Sequence, residues 1–434
     1  MHCSDNNYPR FIEALKVWAY IGLLSFGGPA AQVALMHRVL VEEKKWLTEN
    51  QYLDALSFCM LLPGPEAMQL ATYAGWRMHG VKGGLAAGLL FVIPGALVIL
   101  ALAMAYAAFG QVMVVASLFV GIKAAIVVVV IDALIRISRK TLKSSEHWLI
   151  ALFSFTSIFF FTLPFPLIVF LVACYGYYRQ LGYARFSSTV HTEKTHHLPP
   201  ILTTIKTAML WLSIWLLPLL LLTIFVGLEN IILELGWFFS KLALVTFGGA
   251  YAVLAYMAQD AVVAHQWLTS GQMMDGLGLA ETTPGPLILV TEFVGYLAAY
   301  HSQNSWLLGL AGALIALWCT FVPCFMWIFT GAPYIEWINQ QPRLKGALTA
   351  IMAAVVGVIL NLSIWFALHV FFQQVSPLKY GLLTLWLPQL SSLDFNALAL
   401  ALLSAWLLLK LRWQIPKVLT IATLGAFCLA YIGL

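Results

Sequence analysis

A chain of 434 residues with 62% hydrophobic and 9% charged residues and a formal charge of +5 has too few polar side chains to cover a water-soluble globule. Such a globule carries about 25% charge. With a mean hydropathy of +0.89, most of its surface has to face lipid, which excludes soluble enzymes and nucleic-acid binders as classes. The basic residues fall in short clusters between apolar runs, the pattern of cytoplasmic loops.

In chain order, the polar start Met1–Arg10 reads as an uncleaved cytoplasmic tail. Membrane-length apolar segments follow at Phe11–Leu35, Gly83–Ala107, Val112–Leu134, Ile201–Val226, Trp237–Met257, Ser305–Phe329, Leu348–Phe371, Phe395–Leu411 and Val418–Leu434. Trp148–Tyr178 is divided by Leu163-Pro164-Phe165-Pro166 and reads as two short spans joined by a turn. Gln51–Trp76 and Gly271–Tyr300 each carry Pro-Gly-Pro in their middle. These add to about 13 membrane segments, with Lys379–Leu390 the hardest stretch to assign. Arg136, Arg139, Lys140 and Lys143 mark one cytoplasmic loop, and the polar linker Gln180–Pro200 marks another. The six cysteines show no paired metal spacing, five lie in apolar stretches, and neither a metal nor a cofactor is expected.

The sequence carries an internal repeat. Ser25-Phe26-Gly27-Gly28 pairs with Thr246-Phe247-Gly248-Gly249, Trp46-Leu47-Thr48 with Trp267-Leu268-Thr269, Asp54 with Asp275, and Pro63-Gly64-Pro65 with Pro284-Gly285-Pro286, all 221 positions apart. Counting spans from an inside N-terminus puts Trp46 outside and Trp267 inside, so the halves are expected to be inverted. The predicted fold is all-α, a polytopic transmembrane bundle of two homologous inverted repeats with helices interrupted at the Pro-Gly-Pro motifs. The expected organisation is a first repeat over 1–179, a cytoplasmic linker over 180–200, a connecting transmembrane helix over 201–230 and a second repeat over 231–434. Inverted repeats with broken helices at matching positions characterise secondary transporters, whose substrate site lies between the repeats.

Proline lacks an N–H and clashes with the carbonyl four residues back, so a helix from Tyr52 has to stop at Pro63. A new helix can restart at Pro65, with first-turn amides at Glu66 and Ala67 that have no intrahelical partner. Such donors at the positive end of a helix dipole form an anion site. The second copy offers Leu287 and Ile288 after Pro286. The bland alternative for both motifs is a pair of packing kinks. Gly27, Gly28, Gly248 and Gly249 permit close backbone approach, either to the site or to a neighbouring helix. Gln69, Thr282 and Thr283 are candidate hydrogen-bond donors, and Lys123, a charge in mid-span, is a candidate anion attractor. Glu66, whose repeat partner is Leu287, is a candidate proton-coupling group, and Glu281 and Glu292 flank the second break. Arg38 and Arg77 are candidates for an electrostatic funnel or for topology signals.

The strings Ser25–Pro29, Leu62–Ala67, Gln69–Tyr73 and Gly75–Arg77, with Thr246–Tyr251 and Asp275–Leu287, resemble the chromate ion transporter family in its long two-domain form. That resemblance implies a bacterial inner-membrane carrier that exports chromate, confers chromate resistance, and has a cytoplasmic N-terminus. Glu292 departs from the family's pattern, in which a neutral apolar stretch with glutamine is expected. Partners are then chromate or a related oxyanion and the lipid bilayer, not nucleic acid; a homo-oligomer is left open. Sulfate has the same shape and charge, so a sulfate carrier or an anion channel is the alternative. An intramembrane enzyme has less support, because His-Glu-x-x-His, Gly-x-Ser-x-Gly and a phosphate loop are all missing from the sequence.

Overall fold

The computed structural model describes residues 9–110, 112–184, 200–227, 229–247, 250–339, 341–381 and 383–432. Most of the linker (185–199) and both Gly248 and Gly249 lie outside the described residues. Among those described, five helices are long and apolar enough to cross a membrane: Glu66–Phe109, Ser117–Thr141, Ile201–Phe225, Trp306–Tyr334 and Pro342–Phe371. The chain divides into two compact units. The first holds Met1–Ala101, Tyr183–Gly249 and Thr283–Lys345; the second holds Leu102–Gly182, Ala250–Thr282 and Gly346–Leu434.

The first unit begins with α1 (Phe11–Leu24) and α2 (Gly28–His37), the latter continuing through a π-helical turn, Arg38–Glu43. The apolar stretch Phe11–Leu35 is therefore not one continuous span. It breaks at Ser25-Phe26-Gly27, where Gly27 has φ +86° and Gly28 φ +77°. The chain reverses there, because Lys44 Nζ stands 3.7 Å from Glu13 Oε1 and Trp46 packs on Trp18. A helix of 14 residues spans about 21 Å, short of the roughly 30 Å hydrocarbon core. Two such arms make a hairpin, not a crossing.

The next pair repeats the plan. A capping box between Thr48 and Gln51 starts α3 (Glu49–Leu61), and Pro63-Gly64-Pro65 ends it. The helix α4 (Glu66–Phe109) is bent at His79 and Gly80. Phe58 lies against Tyr73, so α3 and the first part of α4 are antiparallel arms. His79 Nε2 lies 2.9 Å from the Pro9 carbonyl, and His37 sits 2.7 Å from Glu49. The open ends of both hairpins thus share one level, and Trp46 returns to the side of the chain's start. This corrects the span count, which carried Trp46 across.

The rest of the first unit comprises α8 (Ile201–Val226), α9 (Ile231–Val245), α12 (Val290–Gln303), α13 (Trp306–Gly331) and the short α14 (Ile335–Asn339). Only 17% of the apolar window of α8 is buried, which leaves it a lipid-facing surface. Helices α12 and α13 run antiparallel, with Gly295 and Gly312 in backbone contact.

The second unit contains α5 (Met113–Thr141), α6 (Ser145–Phe159) and α7 (Phe165–Ala184), which flank the expected proline turn. It also holds α10 (Ala250–Gln259), α11 (Ser270–Thr282), α15 (Pro342–Phe371), α16 (Phe395–Ala405) and α17 (Ile415–Ile432). A cluster including Val128, Leu400 and Val418 joins α5 to α16 and α17. Lys379–Leu390 supplies most of an antiparallel β-hairpin, β1 (Val375–Tyr380) and β2 (Leu383–Pro388), turning at Gly381. Among the described residues this hairpin is the exception in an otherwise helical fold. Lys123 of α5 stands beside Asp275 near the start of α11, while the charge of Arg136 reaches Glu281 near its end. Helix α11 therefore runs parallel to α5, and its start, next to Trp267, is at the end of this unit away from Arg139 and Lys140. The span count had put Trp267 on the side of that basic cluster.

Candidate functional site

Each Pro-Gly-Pro motif is a tight tip between two helical arms. At the first, Leu62 is extended, Gly64 has φ +126°, and α4 restarts behind Pro65, whose carbonyl accepts from the Gln69 N–H at 3.1 Å. At the second, Gly285 has φ +91°, and a 3-10 turn, Leu287–Leu289, precedes α12. Both glycines adopt backbone that L side chains rarely enter. Glycine between two prolines is the combination that reverses the chain and restarts a helix within four residues.

The tips meet crosswise. The Gly64 N–H donates to the Thr246 carbonyl at 2.8 Å, and the Gly285 N–H donates to the Ser25 carbonyl at 2.9 Å. Ser25 and Thr246 are repeat partners, as are Gly64 and Gly285, so exchanging the repeats maps one bond onto the other. Ser25 and Thr246 also each return a hydroxyl hydrogen bond of 2.6 Å to the carbonyl four residues back, Ile21 and Leu242. Ser25 and Thr246, which precede the two Phe-Gly-Gly strings, therefore each supply the acceptor for the Pro-Gly-Pro break of the other repeat.

One buried amide supports each tip. Gln69 Nε2 donates to the Pro63 carbonyl at 2.8 Å, and Gln32 Nε2 donates to Gly285 at 2.6 Å and to Ser25 at 3.2 Å. Both side-chain oxygens are buried without a partner, an arrangement that calls for a donor. A chain of polar groups connects the tips. Cys324 Sγ lies against Gly64 and Gln69 and bonds the Thr320 carbonyl; Thr320 Oγ1 bonds Thr291 Oγ1, which donates to Ile288.

Of the expected site residues, Gly27, Gly28, Pro63, Gly64, Pro65, Glu66, Ala67, Gln69, Thr283, Pro284, Gly285, Pro286, Leu287, Ile288, Glu292, Arg38 and Arg77 fall in the first unit. Arg38 is exposed and paired with Glu43 at 3.3 Å. Arg77 Nη1 donates to the Tyr73 hydroxyl at 3.3 Å. Glu292 is 1% exposed, and its Oε2 has no partner. Lys123, Glu281 and Thr282 fall in the second unit. Lys123 Nζ is 3.7 Å from Asp275 Oδ1, and the other Asp275 oxygen accepts from Tyr106 at 2.8 Å. Glu281 accepts from Tyr251 at 2.7 Å, and Thr282 donates to the Leu279 carbonyl.

Sequence reasoning missed Gln32, Cys324, Thr291 and Thr320. Gln32 had a signal of its own, a polar amide inside an apolar stretch. The others read as ordinary small residues until the fold joins them. The polar groups described at the two tips are therefore backbone and side-chain amides, hydroxyls and one thiol.

These features define a polytopic helical membrane protein whose polar groups gather at paired helix breaks. A sequence profile described as chromate transporter matches residues 12–177 and 233–430. The chain belongs to the chromate transporter family, which sets it among transporters rather than enzymes. It is similar to the chromate transport protein of Cupriavidus metallidurans, 30% identical over 348 residues covering 78% of each chain. A probable chromate transport protein of Synechococcus elongatus is 29% identical, covering 78% of this chain and 80% of the relative. An uncharacterized transporter of Methanocaldococcus jannaschii is 25% identical, covering 85% and 87% respectively. No solved structure matches the chain.

Proposed function

We propose that the protein is a secondary carrier that exports chromate across a bacterial cytoplasmic membrane, drawing on an ion gradient and conferring chromate resistance. The observation that carries this reading is the reciprocal pair of bonds, Gly64 to Thr246 and Gly285 to Ser25. Such reciprocity is what a two-fold relation between repeats produces, and it supports inverted repeats over 1–179 and 231–434, separated by the linker 180–200 and the helix region 201–230. The two tips then approach a common level from opposite membrane faces, with the N-terminus cytoplasmic. Rocking of one repeat against the other exposes the level between them to each face in turn.

The tetrahedral dianion is held by first-turn amides behind Pro65 and Pro286, helped by the second Nε2 hydrogen of Gln69, in place of its hydration shell. The family relatives named for chromate transport favour chromate as the cargo; sulfate shares its shape and charge. Lys123 lies in the second unit, where its charge is compensated by Asp275.

Cells producing the full chain are compared with cells producing Pro65→Ala with Pro286→Ala. The parent is expected to lower chromate accumulation and the double variant to lose that effect; equal accumulation rules the tips out as the site. Vesicle flux with and without an imposed pH gradient separates carrier from channel, and competition by sulfate ranks the two anions.

A further inference from the structure

Glu292 stands apart from every other acid in the first unit. It lies on α12, six residues beyond Pro286 of the second tip, and beside Thr291 in the polar chain that connects the two tips. It is 1% exposed, its Oε2 has no hydrogen-bond partner, and no ion pair reaches it among the described residues. In the first repeat it falls opposite Ala71 or Thr72, on either side of a one-residue slip in register, and neither is acidic. The carboxyl is thus an addition to one repeat and not part of the shared scaffold.

Among the described residues, the elements around it bring no cation into an ion pair with it. Helix α13, packed along α12, carries only the thiols Cys319 and Cys324 as titratable groups. Helix α9 carries Glu234 and Lys241, both on its exposed face. The 3-10 turn Leu287–Leu289 is apolar, and the part of α4 beside the second tip, which meets Pro284 through Gly95, has Lys82 at its far end. On α12 itself Tyr296, Tyr300 and His301 lie toward the other end. An isolated carboxylate in such surroundings is costly to keep, and a dianion arriving at the tip raises that cost. A protonated carboxyl gains a donor instead.

We propose that Glu292 carries the proton that accompanies the oxyanion. This rests on the transport reading above and names its coupling group. A proton from the loading face binds the carboxylate as the anion settles behind Pro286, the O–H donates toward the site, and both leave together on the far face; no bond within the anion changes. One proton per dianion leaves one net negative charge to cross, which an inside-negative potential still drives outward. Glu66 is partly exposed and Glu281 already accepts from Tyr251, so neither meets the same description.

The test uses the full chain in liposomes loaded with a pH-sensitive dye, together with calorimetric titration of chromate in buffers of different ionisation enthalpy. The parent is expected to move protons in the direction of chromate and, in buffers alkaline enough to ionise the buried carboxyl before the anion arrives, to take up about one proton per anion bound. Its rate should fall with rising pH, approaching about tenfold per unit, the limit for one linked proton. Glu292→Gln should lose the proton uptake and flatten the pH profile, and Glu292→Asp should restore both in part. The calorimetric count reports even if the variant transports slowly. An unchanged proton count and pH slope in Glu292→Gln overturn the proposal. Absence of any chromate flux through the parent overturns the transport reading itself, a distinct outcome.

Discussion

Gly95→Ala is the most direct probe of the crossed tips, because it perturbs them without replacing a motif residue. Gly95 lies in α4, where a Cβ would come within 2.2 Å of the Pro284 carbonyl oxygen. Non-bonded carbon and oxygen need roughly 1 Å more than that, so the carbonyl has to retreat by about 1 Å. The Pro284 carbonyl and the Gly285 N–H belong to one rigid peptide plane. The shift therefore displaces the Gly285 N–H against the Ser25 carbonyl, to which it donates at 2.9 Å, and distorts that bond. Overpacking costs about 1–3 kcal/mol, and the distorted bond about 1 kcal/mol more. A penalty of about 2–4 kcal/mol on the transport-competent arrangement corresponds to a loss of at least roughly 30-fold, at tenfold per 1.4 kcal/mol. Chromate accumulation in cells, normalised to membrane-inserted protein, reads the effect. Gly271→Ala is the control, since its added Cβ meets nothing closer than 3.6 Å. If Gly95→Ala transports like the parent while Gly271→Ala also does, the crossed tips do not govern function.

The hairpin plan of the first repeat makes a topology prediction. In a cysteine-free background, Glu13→Cys and Lys44→Cys should label from the same membrane face and, when combined, be joined by a bifunctional maleimide that spans the shortened side chains, since the native tips are 3.7 Å apart; opposite-face labelling would restore a crossing span. The Lys123 and Asp275 pair predicts non-additive stability. Removing one partner leaves a charge uncompensated and costs toward the lower end of about 3–5 kcal/mol, because Lys123 is only partly buried. Lys123→Met with Asp275→Asn should recover much of that loss in thermal unfolding of the detergent-solubilised protein, and simple additivity would show the pair to be energetically idle.

Composition settled the solvent, since 9% charge cannot coat a globule, and the 221-residue offset exposed the duplication before any coordinates. Proline chemistry was equally local: the stops at Pro63 and Pro284 follow from a missing N–H and a steric clash, which need no tertiary context. The β-hairpin at 375–388 and the reversals at Ser25–Gly28 were beyond that reasoning. A Phe-Gly-Gly string is compatible with close packing or with a turn, and hydropathy counts apolar residues without knowing whether their helix continues or doubles back. Direction is a long-range property, visible only when Lys44 returns to Glu13 or when α11 lies along α5. The crossed bonds, the amides of Gln32 and Gln69 and the isolation of Glu292 are long-range in the same sense. They depend on which distant backbone arrives beside each side chain, and that is decided by how the two repeats fold against each other.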